Sequence, residues 1–332
     1  MILRPPVTAL LDTALDSSVV PGYSRLGYLI RRGSWAQGDP APGALHGKTA
    51  LVTGANSGIG KATSTGMARL GATVLMTVRN RERGDQARRE VLAEMPDADL
   101  RVEMCDVSNL GAAVRSFAAD LTGRGQQLDV LVHNAGALPE SRTESEEGHE
   151  VTLATHVLGP LLLTEQLTPA LTASTDARVI FVSSGGMYTQ ALPVTDPEYR
   201  DGQYRGATAY ARSKRMQVAL LPVLADRWAA TNITVHAMHP GWADTPGVAS
   251  SLPGFHRLTG PLLRTPAEGA DTIVWLAATA PAPPSGQFWH DRRTRPTHYL
   301  PHTRESAHDC TQFWQFCAEA THIDAENVAP RD

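Results

Sequence analysis

From Thr49 to His236, short apolar runs alternate with longer stretches whose apolar residues recur at helical spacing. A run without polar alternation is a strand buried on both faces, and a helical stretch between two such runs lets them lie parallel. The runs are Thr49–Val52, Thr73–Met76, Leu100–Met104, Val130–Val132, Val179–Val182 and Ile233–His236. Between them, Ile59, Ala62, Gly66 and Leu70 share one helical face, as do Ala87, Val91 and Met95. Further helices are predicted over Leu110–Leu121, over Gly148–Ala173 with an interruption at Gly159-Pro160, and over Ala209–Trp228. Right-handed crossovers turn this pattern into an α/β fold with a doubly wound parallel sheet.

The flanks read differently. Residues 1–46 are rich in Pro, Gly and Ser and form an N-terminal extension with one short helix over Tyr23–Trp35. Residues 47–290 make a single domain, and 291–332 a C-terminal helical tail packed through Phe313, Trp314, Phe316 and Cys317. Apolar residues at 42 % and charged residues at 19 % supply a sizeable core, which excludes a disordered or fibrous chain. Thirty basic against 34 acidic residues leave no electrostatic footprint for nucleic acid. The longest charge-free stretch, Thr272–His290, is broken by Pro281, Pro283 and Pro284, so no transmembrane segment is expected. Pro5 and Pro6 interrupt any signal-like start, and Cys105, Cys310 and Cys317 make no disulfide framework. The expectation is a soluble, cytoplasmic protein acting on a small molecule, with homo-oligomer formation left open. His298, His302, His308 and Cys310 fit no standard zinc spacing, so no metal site is expected, and Arg292, Arg293 and Arg295 read as a solvated segment.

Three features carry chemistry. Thr53-Gly54-Ala55-Asn56-Ser57-Gly58-Ile59-Gly60 lies between the first strand and its helix, where glycines let the backbone approach a pyrophosphate and the helix N-terminus offers free amides. Among seven tyrosines only Tyr210 has a lysine four residues later, and lysine occupies just three of 332 positions. On a helix that spacing puts Lys214 beside the phenol, where a cation would lower its pKa and suit Tyr210 to proton transfer. Ser184 ends the fifth apolar run, a position from which a hydroxyl can either cap the next turn or donate to a substrate oxygen.

The Gly-x-x-x-Gly-x-Gly spacing resembles the short-chain dehydrogenase/reductase family, with four further segments in matching order. These are His133-Asn134-Ala135-Gly136, Val182-Ser183-Ser184, Tyr210 through Lys214, and His239 through Thr245. Ser183–Met187, Met238–Val248 and Pro253–His256 resemble one branch of that family more closely. The resemblance implies a Rossmann-type oxidoreductase that moves hydride between a nicotinamide and a carbonyl or alcohol substrate. It assigns Ser184, Tyr210 and Lys214 to catalysis. It assigns the cofactor to Gly54, Asn56, Ser57, Gly58, Ile59, Gly60, Asp106, Val107, Asn134, Ala135, Gly136, Pro240, Gly241 and Thr245, together with Tyr210 and Lys214. Val78 occupies the place where NAD enzymes put an acid, and Arg79 follows it, which favours NADP(H). The 26-residue gap from Ser184 to Tyr210, about twice that of compact members, makes an inserted loop that either walls the substrate or lies passively on the surface.

One position departs from the pattern. His156 stands where the family carries a catalytic Asn, whose backbone carbonyl holds a water linked to the lysine. Pro160 has no N–H to give the carbonyl four residues earlier, so the His156 carbonyl is expected to be free for that water, with a neutral imidazole. His156 also sustains the alternative reading, a cofactor-binding sensor or scaffold whose catalysis is vestigial.

Overall fold

The computed structural model describes residues 11–16, 18–244 and 260–325. Eight strands form one sheet: β1 (Thr49–Thr53), β2 (Thr73–Val78), β3 (Leu100–Met104), β4 (Val130–His133), β5 (Ala177–Val182), β6 (Ile233–Met238), β7 (Gln287–His290) and β8 (Arg293–Thr294). Their order is β3-β2-β1-β4-β5-β6-β7-β8, all parallel except β8, which pairs antiparallel with β7. The order reverses between β1 and β4. In an open α/β sheet this is where a crevice opens at the strand carboxyl ends.

Alternate side chains of each strand serve opposite layers. Leu51, Leu75, Leu131, Val179 and Val235 join one core; Ala50, Val52, Val74, Met76, Val130 and Ile180 join the other. Before the sheet come a helix over 11–16, here α1, then α2 (Val19–Tyr23) and α3 (Arg25–Arg32). The helices that follow are α4 (Gly58–Arg69), α5 (Arg81–Glu94), α6 (Arg115–Gly123), α7 (Val151–Leu153), α8 (Gly159–Gln166), α9 (Thr168–Thr172), α10 (Gly206–Ala219), α11 (Leu221–Arg227), α12 (Pro266–Ala278) and α13 (Ala307–Thr321). No helix among the described residues is long and apolar enough to cross a membrane.

Several elements differ from the sequence expectation. β7 and β8 were not anticipated, because Gln287-Phe288-Trp289-His290 has neither an apolar run nor clean alternation; pairing with β6 makes it a strand. The helix predicted over Ala209–Trp228 divides at Leu220, just before Pro222. The region around Gly159-Pro160 is a continuous helix in which a π turn, Ala154–Leu158, joins α7 to α8. Pro160 withholds one N–H from the ladder, and a π turn is one way a helix absorbs such a gap. Gly159 is required there, since a Cβ would collide with the Val107 carbonyl.

Arg295 is buried rather than solvated, because residues 11–35 dock against the end of the sheet through an ionic network. Arg295 grips Asp12 with two bonds of 2.7 and 2.9 Å. Arg31 reaches Asp12 at 2.8 Å and Asp291 at 2.7 Å, and Arg264 holds Asp291 with bonds of 2.6 and 2.9 Å. Despite burial, these guanidinium groups hold the Asp12 and Asp291 carboxyls below the usual carboxylate range. Removing one partner of a buried pair strands the other charge. Asp291→Asn should therefore destabilise the fold by about 3–5 kcal/mol in urea denaturation at pH 7. A carboxylate whose pKa is depressed on folding stabilises the fold fully above its unfolded pKa, near 4, and that contribution fades as pH falls toward the folded value. The gap between wild type and Asp291→Asn should accordingly narrow when denaturation is repeated at about pH 3.

Candidate active site

The crevice between β1 and β4 is built around one hydroxyl. Thr53, the last residue of β1, accepts the backbone N–H groups of Asn134 and Ala135 on its Oγ1, each at 3.0 Å, and donates to the Val132 carbonyl at 3.3 Å. The Asn134 side-chain amide returns the connection, donating to the carbonyls of Thr53 at 3.0 Å and Gly54 at 3.3 Å. Gly54 has φ +67°, and a Cβ there would lie 2.8 Å from Ala135 Cα. A Cβ at Gly60 would collide with the Gly54 carbonyl and the Asn134 amide. Ser57 caps α4 without a side-chain hydrogen bond, and the first turn carries no acid. The first-turn amides of α4 thus lack a side-chain cap at the crevice, the chemistry an anion requires. Asn56, Gly58 and Ile59 are half-buried around it, and Ser57 is exposed.

The end of β2 carries no carboxylate. Val78 is buried over Gly84, Arg79 is exposed, and Asn80 caps α5 by accepting the Arg83 N–H at 2.9 Å. After β3, Asp106 accepts the backbone N–H and hydroxyl of Ser108 at 3.0 and 2.7 Å, and Val107 is buried. Pro240 and Gly241 follow β6, Gly241 with φ +71° and the Pro240 carbonyl accepting from Arg264 Nη1 at 3.2 Å. Thr245 and the Pro253–His256 segment lie outside the described residues.

Beside the crevice, the two serines at the end of β5 have different surroundings. Ser183 is buried and donates to the Lys214 carbonyl at 3.0 Å. Ser184 is half-buried and accepts the Gly186 N–H at 3.2 Å. Tyr210 and Lys214 lie one turn apart on α10, with Lys214 Nζ 5.4 Å from the phenol ring centre. Lys214 Nζ donates to the Val182 carbonyl at 2.8 Å.

The expected lowering of the Tyr210 pKa is not what the structure has. Burial of the phenol raises it, and the nearby Ser184 hydroxyl opposes that rise. Burial also brings Lys214 down to about 7, so near neutral pH its ammonium is only part-populated.

The His156 expectation also needs correction. Its carbonyl is not free: it accepts the Gln217 side-chain amide at 2.7 Å, which satisfies the group that Pro160 leaves without a helical donor. The imidazole, fully buried, is what reaches the site. Nε2 accepts the Ala137 N–H at 2.9 Å, Nδ1 lies 2.7 Å from Ser213 Oγ, and Ser213 donates to the Tyr210 carbonyl at 2.7 Å. Since the serine proton is committed to that carbonyl, Nδ1 carries the imidazole proton. Burial and the Lys214 charge hold the imidazole pKa well below its ordinary value, consistent with a neutral ring. His156 thereby ties the loop after β4 to the helix bearing Tyr210.

Ser213, Gln217 and Ala137 were not found from sequence. Pro160 signalled that a carbonyl needed a partner, but nothing local identified Gln217. The inserted loop is fastened to the body of the fold. Tyr204 donates to Glu150 at 2.9 Å, the Glu198 carboxylate takes the Glu150 N–H at 2.7 Å, and Tyr188 donates to the Pro296 carbonyl at 2.8 Å.

His156→Ala should cost about 1–3 kcal/mol at pH 7.5, since the Ala137 N–H and Ser213 hydroxyl both lose a partner. A histidine whose pKa is depressed on folding favours the fold above its unfolded pKa of about 6.5 and ceases to as pH falls. The difference measured by urea denaturation should therefore shrink at about pH 5.

Comparison with known proteins gives the same picture. The short chain dehydrogenase family model matches residues 48–254. Dehydrogenase/reductase SDR family member 12 of Bos taurus is 43 % identical over 265 residues, spanning 79 % of this chain and 81 % of that protein. Retinol dehydrogenase 14 of Mus musculus is 34 % identical over 261 residues, 73 % of this chain and 77 % of that one. The Pseudomonas aeruginosa RhlG/NADP active-site complex shares the fold at a TM-score of 0.61 and 27 % identity, over 74 % of this chain and 95 % of its own. A parallel sheet with its crevice at the β1/β4 reversal, a glycine turn clamped by Thr53 and Asn134, and these relatives lead to one conclusion: the chain belongs to the short chain dehydrogenase family of oxidoreductases.

Proposed function

We propose that the protein is an NADP(H)-dependent oxidoreductase that interconverts a small-molecule carbonyl and the corresponding alcohol. The observation carrying this reading is the convergence of Ser184, Tyr210 and Lys214 at the strand ends beside the glycine cradle. Gly54, Asn56, Ser57, Gly58, Ile59 and Gly60 would hold the pyrophosphate against the α4 N-terminus. Asp106, Val107, Asn134, Ala135 and Gly136 would line the adenosine side, and Pro240, Gly241 and Thr245 the nicotinamide amide. When bound, the cofactor supplies or accepts the hydride.

The chain's own groups manage the proton and the oxygen. In reduction, Ser184 and Tyr210 donate to the substrate oxygen as it gains negative charge, and Tyr210 gives up its proton. Lys214, when protonated, stabilises the phenolate that remains, which offsets the desolvation opposing ionisation. In oxidation the same groups run in reverse. His156 acts by position, holding the Tyr210 turn and the Ala137 backbone in register.

Tyr210→Phe retains the ring and loses the hydroxyl. Against a panel of aldehydes, ketones and alcohols, turnover should fall by about 10²–10⁴ while cofactor affinity stays near wild type. Retinol belongs in that panel because one relative is named for it. Near-normal turnover of this variant would overturn the mechanism.

NADP preference rests on Val78 and Arg79 at the end of β2. Arg79→Ala should weaken NADPH binding by about 1.5–3 kcal/mol, read by fluorescence titration, and leave NADH binding unchanged. Equal wild-type affinity for the two cofactors would refute the preference.

A further inference from the structure

Tyr23, in the segment preceding the sheet, touches both loops that flank the reacting groups. It ends α2 and is 5 % exposed. On one side its ring lies against the backbone after the serine: a Cβ at Gly185 would come 2.6 Å from Tyr23 Cε2. On the other it stands edge-on to His239 at 4.6 Å and Trp242 at 6.4 Å between ring centres. Its carbonyl accepts the Trp242 N–H at 2.8 Å and Arg264 Nε at 3.1 Å, and a Cβ at Gly241 would lie 2.6 Å from that oxygen.

The segment is held in place by buried charge-assisted bonds. Gly22, the preceding residue, gives its carbonyl to Arg31 at 2.7 Å and to Arg264 at 3.2 Å. Both arginines are locked onto Asp291 in the buried network. Tyr23 is thus pinned from behind by charge-assisted bonds while its ring presses on a loop with no side chain at position 185.

We infer that Tyr23 is a positioning residue: its ring sets the Ser184–Gly186 loop against the Pro240–Trp242 loop, so that a segment outside the catalytic sheet determines where the Ser184 hydroxyl stands. This rests on the proposed oxidoreductase reading for its kinetic consequence, but not for its structural one. An aromatic ring filling the gap is what the geometry requires; the phenol hydroxyl is not.

The test compares Tyr23→Ala and Tyr23→Phe in the full chain, on whichever panel substrate the wild type turns over. A small misplacement of a catalytic group is costly, so Tyr23→Ala should lower kcat by about tenfold or more. NADPH affinity, measured by fluorescence, should fall clearly less than kcat, because the pyrophosphate cradle is built on β1 and β4 and Tyr23 meets the proposed cofactor site only at the Pro240–Trp242 loop. Tyr23→Phe should restore wild-type kcat. Independently of activity, hydrogen exchange at Gly186 and Met187 should quicken about tenfold in Tyr23→Ala and not in Tyr23→Phe, with β1 amides unchanged.

Wild-type kcat and exchange in Tyr23→Ala would overturn the inference. So would equal losses in both variants, which would move the role to the hydroxyl, or parallel loss of NADPH affinity and kcat, which would indicate general disruption. A wild type that turns over nothing would defeat the functional reading alone, and the exchange measurement would still decide the placement of the loop.

Discussion

The hydroxyl of Thr53 organises the centre of this molecule. Backbone amides of Asn134 and Ala135 at the end of β4 would otherwise face an open crevice without partners, and a single side chain at the end of β1 takes both. That bond draws two strand ends together closely enough that Gly54 cannot carry a side chain. The bare backbone so produced adjoins the N-terminus of α4, whose amides retain their capacity for an anion. Polar satisfaction and steric exclusion both follow from one local constraint.

A second set of bonds orients the reacting groups relative to that cradle. Lys214 is fixed at both ends, its ammonium on the Val182 carbonyl and its own carbonyl on Ser183. Tyr210 is held through its backbone by the Ser213–His156 connection, which continues to Ala137 beyond β4. The helix that bears Tyr210 and Lys214 is therefore referenced to the same strand ends as the glycine turn. On the proposed mechanism, side chains locked in this way keep the proton-transfer groups preorganised.

The described residues between 11 and 35 bury charge to an unusual degree. Their inner face carries Asp12, Asp16 and Arg31, while Leu26, Leu29 and Ile30 are exposed. The buried acids face Arg264 and Arg295 from near the end of the sheet, so charge-assisted hydrogen bonds act together with the buried Leu15, Tyr23 and Tyr28 in the attachment. Such bonds are directional. They fix the position of Gly22 and Tyr23 more sharply than a greasy contact would.

Much of the fold and part of the site could be read along the chain. Strands β1, β2, β4, β5 and β6 are legible because they lie inside the sheet, where burial on both faces demands apolar residues, while β3, at the edge, alternates apolar with charged residues. The glycine turn is legible because only glycine tolerates the approach at Gly54. The pairing of Tyr210 with Lys214 follows from helical spacing alone, which brings i and i+4 together whatever surrounds them. Tertiary structure decided what spacing cannot express. Whether Lys214 would be charged and Tyr210 acidic depended on how much water each retained, and burial reversed the direction expected for the phenol. Pro160 announced an unpaired carbonyl, but its partner, Gln217, comes from a helix some sixty residues away. β7 exists because β6 offers it an edge, and Arg295 is buried because Asp12 meets it across nearly the whole chain. Local sequence determines which conformations and near-neighbour contacts are affordable; the dielectric around a group and the identity of its distant partner are properties of the packed molecule only.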